Sequence, residues 1–366
     1  MELSLDRFPR YEELTAILKD LAVRYPRLFA VESIGRSHEG RDIWLVVATN
    51  RDTGEAADKP AFWIDGNIHA AELTASLACL AYLRALAEGY GSDADVTRLL
   101  DTRALYICPR INPDGAEWAL ADRPRYIRSS TRPYPFDEDA IDGLTMEDVD
   151  GDGRILLMRV PDPNGPYRAH PQEPRLMVAR DPAEAGGSYW RIMPEGTLAN
   201  FDGVEIRINK NKQGLDLNRN FPSGWRQEFQ QLGAGPYPTS EPEVRAVVDF
   251  ITKHANVCGG VSFHTHSGVI LRPLSTEPDE NMHAEDLWLY KRFGKKSTEL
   301  TGYPNISIYH EFRYHPKEII TGGFDWLYEH LGAFFWTVEI WAPAREAASR
   351  AITTSSGTAN THPRTT

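Results

Sequence analysis

Leucine and alanine recur at helical spacing from Tyr11 to Tyr25, which predicts an amphipathic helix. Two short strand-forming runs follow, Val31–Ile34 and Ile43–Thr49. Ala61-Phe62-Trp63-Ile64-Asp65 has the pattern of a buried strand that stops at Gly66-Asn67. Leu73 to Leu86 is apolar nearly all round and predicts a well-buried helix. Ala104–Cys108 is another strand, and Asn112-Pro113-Asp114-Gly115 beyond it is a turn signal. From about Ser129 to Glu205 the periodicity breaks down in favour of Pro, Asp, Gly and Arg, as expected of a long insertion, either a small subdomain or ordered loops. It resumes with helices at Glu241–His254 and Asp286–Thr301 and strands at Gly260–His264 and Phe334–Ile340. Alternating strands and helices predict an α/β layer fold with a mixed sheet covered on both faces. Ala344 to Thr366 is small and polar and is expected to be a disordered tail.

Composition narrows this picture only a little. The 366 residues are 41% hydrophobic and 25% charged, an ordinary balance that can bury a large core. A formal net charge of −12 argues against a nucleic-acid partner, which needs a basic surface. No run of 18 apolar residues is present, so no membrane span is expected. The N-terminal segment lacks the apolar stretch of a signal peptide, which makes a cytoplasmic location the default expectation. Cys79, Cys108 and Cys258 are odd in number, lie in apolar runs and form no C-x-x-C pair; buried free thiols are expected rather than a disulfide framework.

Candidate chemistry begins at His69 and Glu72, an H-x-x-E pair after one strand and at the entrance to a helix. Residues three apart on a helix share a face, and imidazole nitrogen and carboxylate oxygen are both zinc ligands. Such a pair arises by chance in many chains, where it is a surface His near a surface Glu. Its position beyond the C-terminal end of a buried strand, where open α/β sheets place their sites, favours function. His264 supplies a third ligand at the end of Gly260-Val261-Ser262-Phe263, where the chain turns polar through Thr265-His266-Ser267-Gly268. Two His and one Glu leave a fourth zinc position open, the pattern of a catalytic rather than a structural site.

These motifs, with others in order, resemble the M14 family of zinc carboxypeptidases, the carboxypeptidase A-like group. His69-Ala70-Ala71-Glu72 resembles the family's H-x-x-E, and Asn112-Pro113-Asp114-Gly115 its N-P-D-G turn. Gly214-Leu215-Asp216-Leu217-Asn218-Arg219-Asn220 resembles G-x-D-x-N-R-N, and Ser240-Glu241-Pro242-Glu243 its S-E-P-E helix start. His264-Thr265-His266-Ser267, Gly322-Gly323-Phe324-Asp325-Trp326 and Thr337-Val338-Glu339-Ile340 resemble the remaining three. The agreement in order and rough spacing runs from about Tyr11 to Ala342. It implies an α/β fold with a mixed, mostly parallel sheet of about eight strands flanked by helices, in one catalytic domain over 1–343 with the insertion at about 129–205.

The resemblance also implies roles. His69, Glu72 and His264 would hold one zinc ion per chain, with Asp216 accepting a hydrogen bond from His69 and fixing its tautomer. Asn218 and Arg219 would bind the free carboxylate of a peptide substrate, a task guanidinium geometry suits. Glu339 would be the general base; a carboxylate ending the apolar strand Phe334–Val338 is costly unless it lines a polar site, and such surroundings raise its pKa toward a base's working range. Arg128, preferred over Arg125 and Arg132, would polarise the scissile carbonyl. Phe324 would line the specificity pocket and favour an apolar C-terminal residue.

Several features depart from the family pattern. Lys317-Glu318-Ile319-Ile320 stands where a mobile tyrosine is expected, and Tyr314 is the nearest tyrosine. The insertion is long, and no apolar helix pattern follows the catalytic strand. Asp148, Asp150 and Asp152 in Asp148-Val149-Asp150-Gly151-Asp152-Gly153 match the start of a calcium loop, yet Arg159 occupies the position where an EF-hand needs Glu. A calcium loop of another kind and an acidic surface turn both remain open. Three rival functions are an amidase, deacylase or cell-wall peptide hydrolase on the same fold, a non-catalytic binding module, and a calcium-regulated interaction protein. The intact Asn218-Arg219 pair favours an exopeptidase over the first, and retention of Glu339 and all three ligands disfavours the second. The third would depend on the Asp148 loop and be indifferent to zinc chelation.

Overall fold

The computed structural model describes residues 6–135, 142–312 and 321–342. The chain divides into two units, one formed by residues 1–117, 127–137 and 213–366, the other by 118–126 and 138–212. The stretch of lost periodicity therefore overlaps the second unit without coinciding with it, because residues 127–137 return to the first.

Along the chain run α1 (Tyr11–Arg24), β1 (Phe29–Arg36), β2 (Asp42–Ala48), β3 (Ala61–Gly66), α2 (Leu73–Gly89), α3 (Ala94–Thr102), β4 (Ala104–Cys108) and α4 (Pro113–Ala119). After the second unit come α5 (Pro242–Lys253), β5 (Val257–His264), β6 (Val269–Arg272), α6 (Ala284–Thr301), β7 (Asn305–Ser307), α7 (Gly323–Leu331) and β8 (Phe334–Glu339). The eight strands form one mixed sheet in the order β1-β2-β4-β3-β5-β8-β6-β7. Its central strands β4, β3, β5 and β8 are parallel, and β1, β2 and β6 pair antiparallel to their inner neighbours.

Both faces of the sheet are packed, which is why β4 is buried along its whole length and reads as a continuous apolar run. One face carries Trp63, Tyr106, Val247, Phe250, Leu327 and Phe335 in a single cluster. The other packs Leu18, Val46, Ile64, Leu80, Leu83 and Ile107. Full burial of such a side chain contributes roughly 1.5–3 kcal/mol, so the apolar pattern outweighs local propensity in placing each strand. α3 lies outside the elements the sequence pattern predicts, because it is only nine residues long and polar on average; it buries only Leu100, and Asp93 caps its start by accepting from the N–H groups of Asp95 and Val96.

Two expectations need correction. Pro113-Asp114-Gly115 is the first turn of α4 rather than a free turn, with Asn112 Oδ1 accepting from Gly115 N at 2.8 Å. Proline suits a first helical position because its missing N–H would go unused there. Cys258 is exposed on β5, whereas Cys79 and Cys108 are buried; none of the three forms a disulfide.

The second unit is sheet rather than loop. Gly143–Met146 pairs antiparallel with Gly196–Ala199. A four-stranded sheet orders Leu157–Pro161, Trp190–Pro194, Tyr167–Ala169 and Met177–Ala179. These strands are three to five residues long, too short for alternation to stand out in sequence. Among the described residues no helix is long and apolar enough to cross a membrane.

Candidate active site

Three neighbouring parallel strands end at one place. β3 stops at Gly66, β5 at His264 and β8 at Glu339, with His264 directly opposite Glu339 in the register. Beyond β3 the backbone reverses through Asn67, whose left-handed conformation (φ 58°) asparagine tolerates better than most residues. The buried Asn67 amide donates to the carbonyls of His69 (2.7 Å) and Ala70 (3.3 Å), which fixes the turn carrying His69. Gly66 allows β3 to approach α2 closely, since a Cβ there would lie 2.7 Å from the carbonyl oxygen of Ala75.

Glu72 precedes α2 instead of lying within it. His69 and Glu72 therefore converge through a tight turn, with Glu72 N donating to His69 O at 3.3 Å, and not by sharing a helix face as the spacing suggested. His69 Nδ1 lies 2.8 Å from Glu72 Oε1, and His264 Nδ1 lies 3.1 Å from Glu72 Oε2. The two Nδ1 atoms are 3.1 Å apart, and both rings are buried. One donor atom from each of the three residues falls within 4.8 Å of the others. His69 Nε2 faces Asp216 Oδ1 at 3.2 Å. With its proton held there, the imidazole presents the Nδ1 lone pair to the cluster. Two imidazole nitrogens and a carboxylate facing one another form a donor set that a divalent cation satisfies, so these three residues could hold a metal ion.

Asp216 also joins the rest of the site. Its Oδ2 accepts from Arg128 Nε at 2.9 Å, and its Oδ1 from the backbone N–H of Asn218 at 2.9 Å. Burial opposes its ionisation, but the charges of Arg128 and Arg219 outweigh burial and hold the carboxyl well below its ordinary range. Asn218 and Arg219 sit on the single helical turn that Asp216 opens. Asn218 Oδ1 accepts from Gly323 N at 3.0 Å, which leaves its NH₂ group as the donor side. Arg128 reaches to 3.7 Å from Glu72 Oε1.

The three candidate arginines are separated by their partners. Arg132 is committed to the buried Glu241, donating from Nε at 3.0 Å, and Arg125 stacks over Trp118. Only Arg128 joins the His69 cluster. Its segment is held by Ser129 Oγ on Ile68 O (2.6 Å), by Asn112 Nδ2 on Ser129 O (2.7 Å) and by Ala70 N on Arg128 O (3.1 Å). Gly115 makes this packing possible; a Cβ there would come within 2.8 Å of Asn112, Ser129 and Ala70 alike.

Glu339 is partly buried beside His264. Burial pushes its carboxyl up to about 7, with Glu72 adding to the rise and His264 and Arg128 opposing it. The two imidazoles hold Glu72 below its ordinary range despite burial. Behind the cluster lies Asp65, which the sequence reading did not single out. It is buried on β3 and accepts from Ser262 Oγ and from Trp63 Nε1 at 2.6 Å. A carboxylate inside an apolar strand was the available signal. Phe324 lies on α7, but its side chain is outside the described residues, as is the 313–320 segment in which the mobile tyrosine was sought.

The Asp148 loop stands apart from this chemistry. Asp148 accepts the N–H groups of Gly151 and Gly153, Asp150 that of Asp152, and Asp152 that of Arg154. Asp148 and Asp150 do approach Glu195, whose carboxylate accepts three further backbone N–H groups. Turn-closing bonds account for the loop's shape without an ion, and a calcium ion gains no support from it.

The zinc carboxypeptidase family model matches residues 14–140 and 188–354 and passes over the Asp148 loop. Carboxypeptidase A2 of Rattus norvegicus is 24% identical over 290 residues, covering 76% of this chain and 50% of that protein. Carboxypeptidase B of Homo sapiens is 24% identical over 280 residues, 74% of this chain and 48% of that protein. The chain thus spans about half the length of these relatives. Among solved structures, the carboxypeptidase A of Helicoverpa armigera superposes with a TM-score of 0.60 at 20% identity, covering 93% of this chain and 66% of that one. That likeness shows the fold.

Proposed function

The chain belongs to the zinc carboxypeptidase family, and from that premise we propose that it is a metallocarboxypeptidase that releases the C-terminal residue of peptides. The observation that carries this is the convergence of His69 Nδ1, His264 Nδ1 and both oxygens of Glu72 beside the raised carboxyl of Glu339. His69, Glu72 and His264 would hold a zinc ion, whose Lewis acidity would polarise a carbonyl oxygen and acidify water. Asp216 keeps His69 in the ligating tautomer. Arg219 and the NH₂ group of Asn218 grip the substrate's terminal carboxylate and so place the last peptide bond over the site. Arg128, steadied by Asp216, donates to the carbonyl oxygen as negative charge develops there. Glu339, with a carboxyl near neutrality, takes a proton from the attacking water and returns it to the leaving amine.

The test is a pair of peptides differing only in a free or amidated C-terminus. Hydrolysis should require the free acid, and Arg219→Ala should erase the preference. A charge-assisted contact of about 1.5–3 kcal/mol predicts a loss in kcat/KM of at least about tenfold. Equal rates on acid and amide would sink the exopeptidase reading and favour an amidase or endopeptidase on the same fold.

A further inference from the structure

A second set of potential ligands lies at the outer edge of the main sheet. β6 and β7 pair in parallel, and β6 runs antiparallel to β8. Their C-terminal ends therefore point away from the end of β8 that carries Glu339. Asp279 and Glu280 follow β6 on a short helical turn, and His310 follows β7 on one wide turn, Ile308–Phe312. One donor atom from each of these three residues falls within 4.8 Å of the others.

Asp279 makes this cluster unlike an ordinary surface pair. It is fully buried, and its Oδ2 accepts from Arg272 Nε at 2.6 Å. Its Oδ1 is also buried, accepts no hydrogen bond from the described residues, and faces His310 Nε2 at 3.4 Å. A buried carboxylate oxygen without a donor is costly. The surroundings are rigid enough to hold a ligand set. Arg272 orients Asp279, as outer partners orient metal-binding carboxylates. Ser307 N donates to Glu311 and His310 N to Ser307 Oγ, which pins the His310 turn. Ligands about 2.0–2.1 Å from a tetrahedral zinc lie about 3.3 Å apart, close to the Asp279–His310 spacing. Glu280 Oε2, 2.7 Å from His310 Nε2, is on an exposed side chain free to withdraw by the small remaining distance.

We propose that Asp279, Glu280 and His310 form a second divalent-cation site, suited to zinc, that clips the turn after β6 to the turn after β7. One imidazole and two carboxylates leave a fourth position to water. The rival is a protonated His310 paired with the two carboxylates and no metal.

The full chain, stripped with a chelator, reloaded with Zn²⁺ and passed through gel filtration, decides between them. Wild type should retain about two zinc ions per chain, His310→Ala and His69→Ala about one each, and the double variant none. Added zinc should raise the Tm of His69→Ala but not of the double variant. His310 is 42% exposed, so its replacement spares the core. Wild type retaining about one ion with His310→Ala unchanged would overturn the proposal and leave His310 as an ion-pair partner. If only the His69 site were misassigned, His310→Ala alone would empty the protein, so the two failures are distinguishable.

Discussion

The chain carries two metal-ligand patterns that are comparably suggestive on paper, His69-x-x-Glu72 in the first unit and the Asp148-x-Asp150-x-Asp152 run in the second. Tertiary structure treats them differently. At the first, a ligand from a strand 195 residues away closes the set, and the two imidazoles face each other through Glu72. At the second, Asp148, Asp150 and Asp152 accept backbone N–H groups of their own loop, and the Glu195 carboxylate that Asp148 and Asp150 approach is itself taken up by three backbone N–H groups. A run of ligand-type residues therefore says little until it is known whether their lone pairs face one another or the local backbone.

Substitution should break this comparison most sharply. His264→Ala should lose one bound zinc ion and peptide hydrolysis together, whereas Asp150→Ala should change neither. Zinc analysis and a rate assay on both variants check this, and loss of activity in Asp150→Ala would show that the loop contributes to the site.

The next largest effect separates metal binding from proton transfer. Glu339→Gln keeps size and removes the basic oxygen, so zinc content should hold while kcat falls by roughly 10²–10⁴. KM should change little, because the proposed carboxylate grip is untouched. A kcat within a few fold of wild type would make Glu339 a structural residue.

Asp216→Asn should be milder. It leaves all three ligands in place but weakens control of the His69 tautomer, which lowers metal affinity by about 10–100-fold. Competition with a zinc chelator measures this, and unchanged affinity would mean that Asp216 serves only Arg128 and the Asn218 turn.

The smallest effect concerns stability. Glu243, at the start of α5, accepts from His38 N at 2.8 Å through one oxygen, and its other oxygen is buried without a partner among the described residues. Burial pushes its carboxyl up to about 7 from an ordinary 4.5, with Asp114 and Glu241 adding to the rise. Between those values the folded state holds the proton more tightly than the unfolded chain. Its contribution is therefore most favourable below about pH 4.5, declines as pH rises, and levels off above about 7. In Glu243→Gln this decline should vanish. Denaturant midpoints from pH 5 to 8, compared between the two proteins, should diverge as pH rises; parallel curves would show that Glu243 titrates normally.

The sequence by itself determined the elements written as continuous apolar runs. α2, β3, β4 and β8 lie where their apolar runs predict, because an element buried on most sides has little freedom in what it can present. Order and spacing of the ligand motifs, read as a family resemblance, also pointed to His69, Glu72, His264 and Glu339. The short strands of the second unit were not legible, since three to five residues carry too little alternation. Nor was the helical start at Pro113, where turn chemistry and first-turn chemistry use the same residues. The sequence preferred Arg128 to Arg125 and Arg132, but only the tertiary structure supplied a physical reason, because all three share one polar stretch and are distinguished by their partners. Only the tertiary structure singled out Asp65 behind the site and Asp279 and His310 at the sheet edge. Their significance depends on what faces a lone pair across the fold, and long-range pairing, not local pattern, sets that.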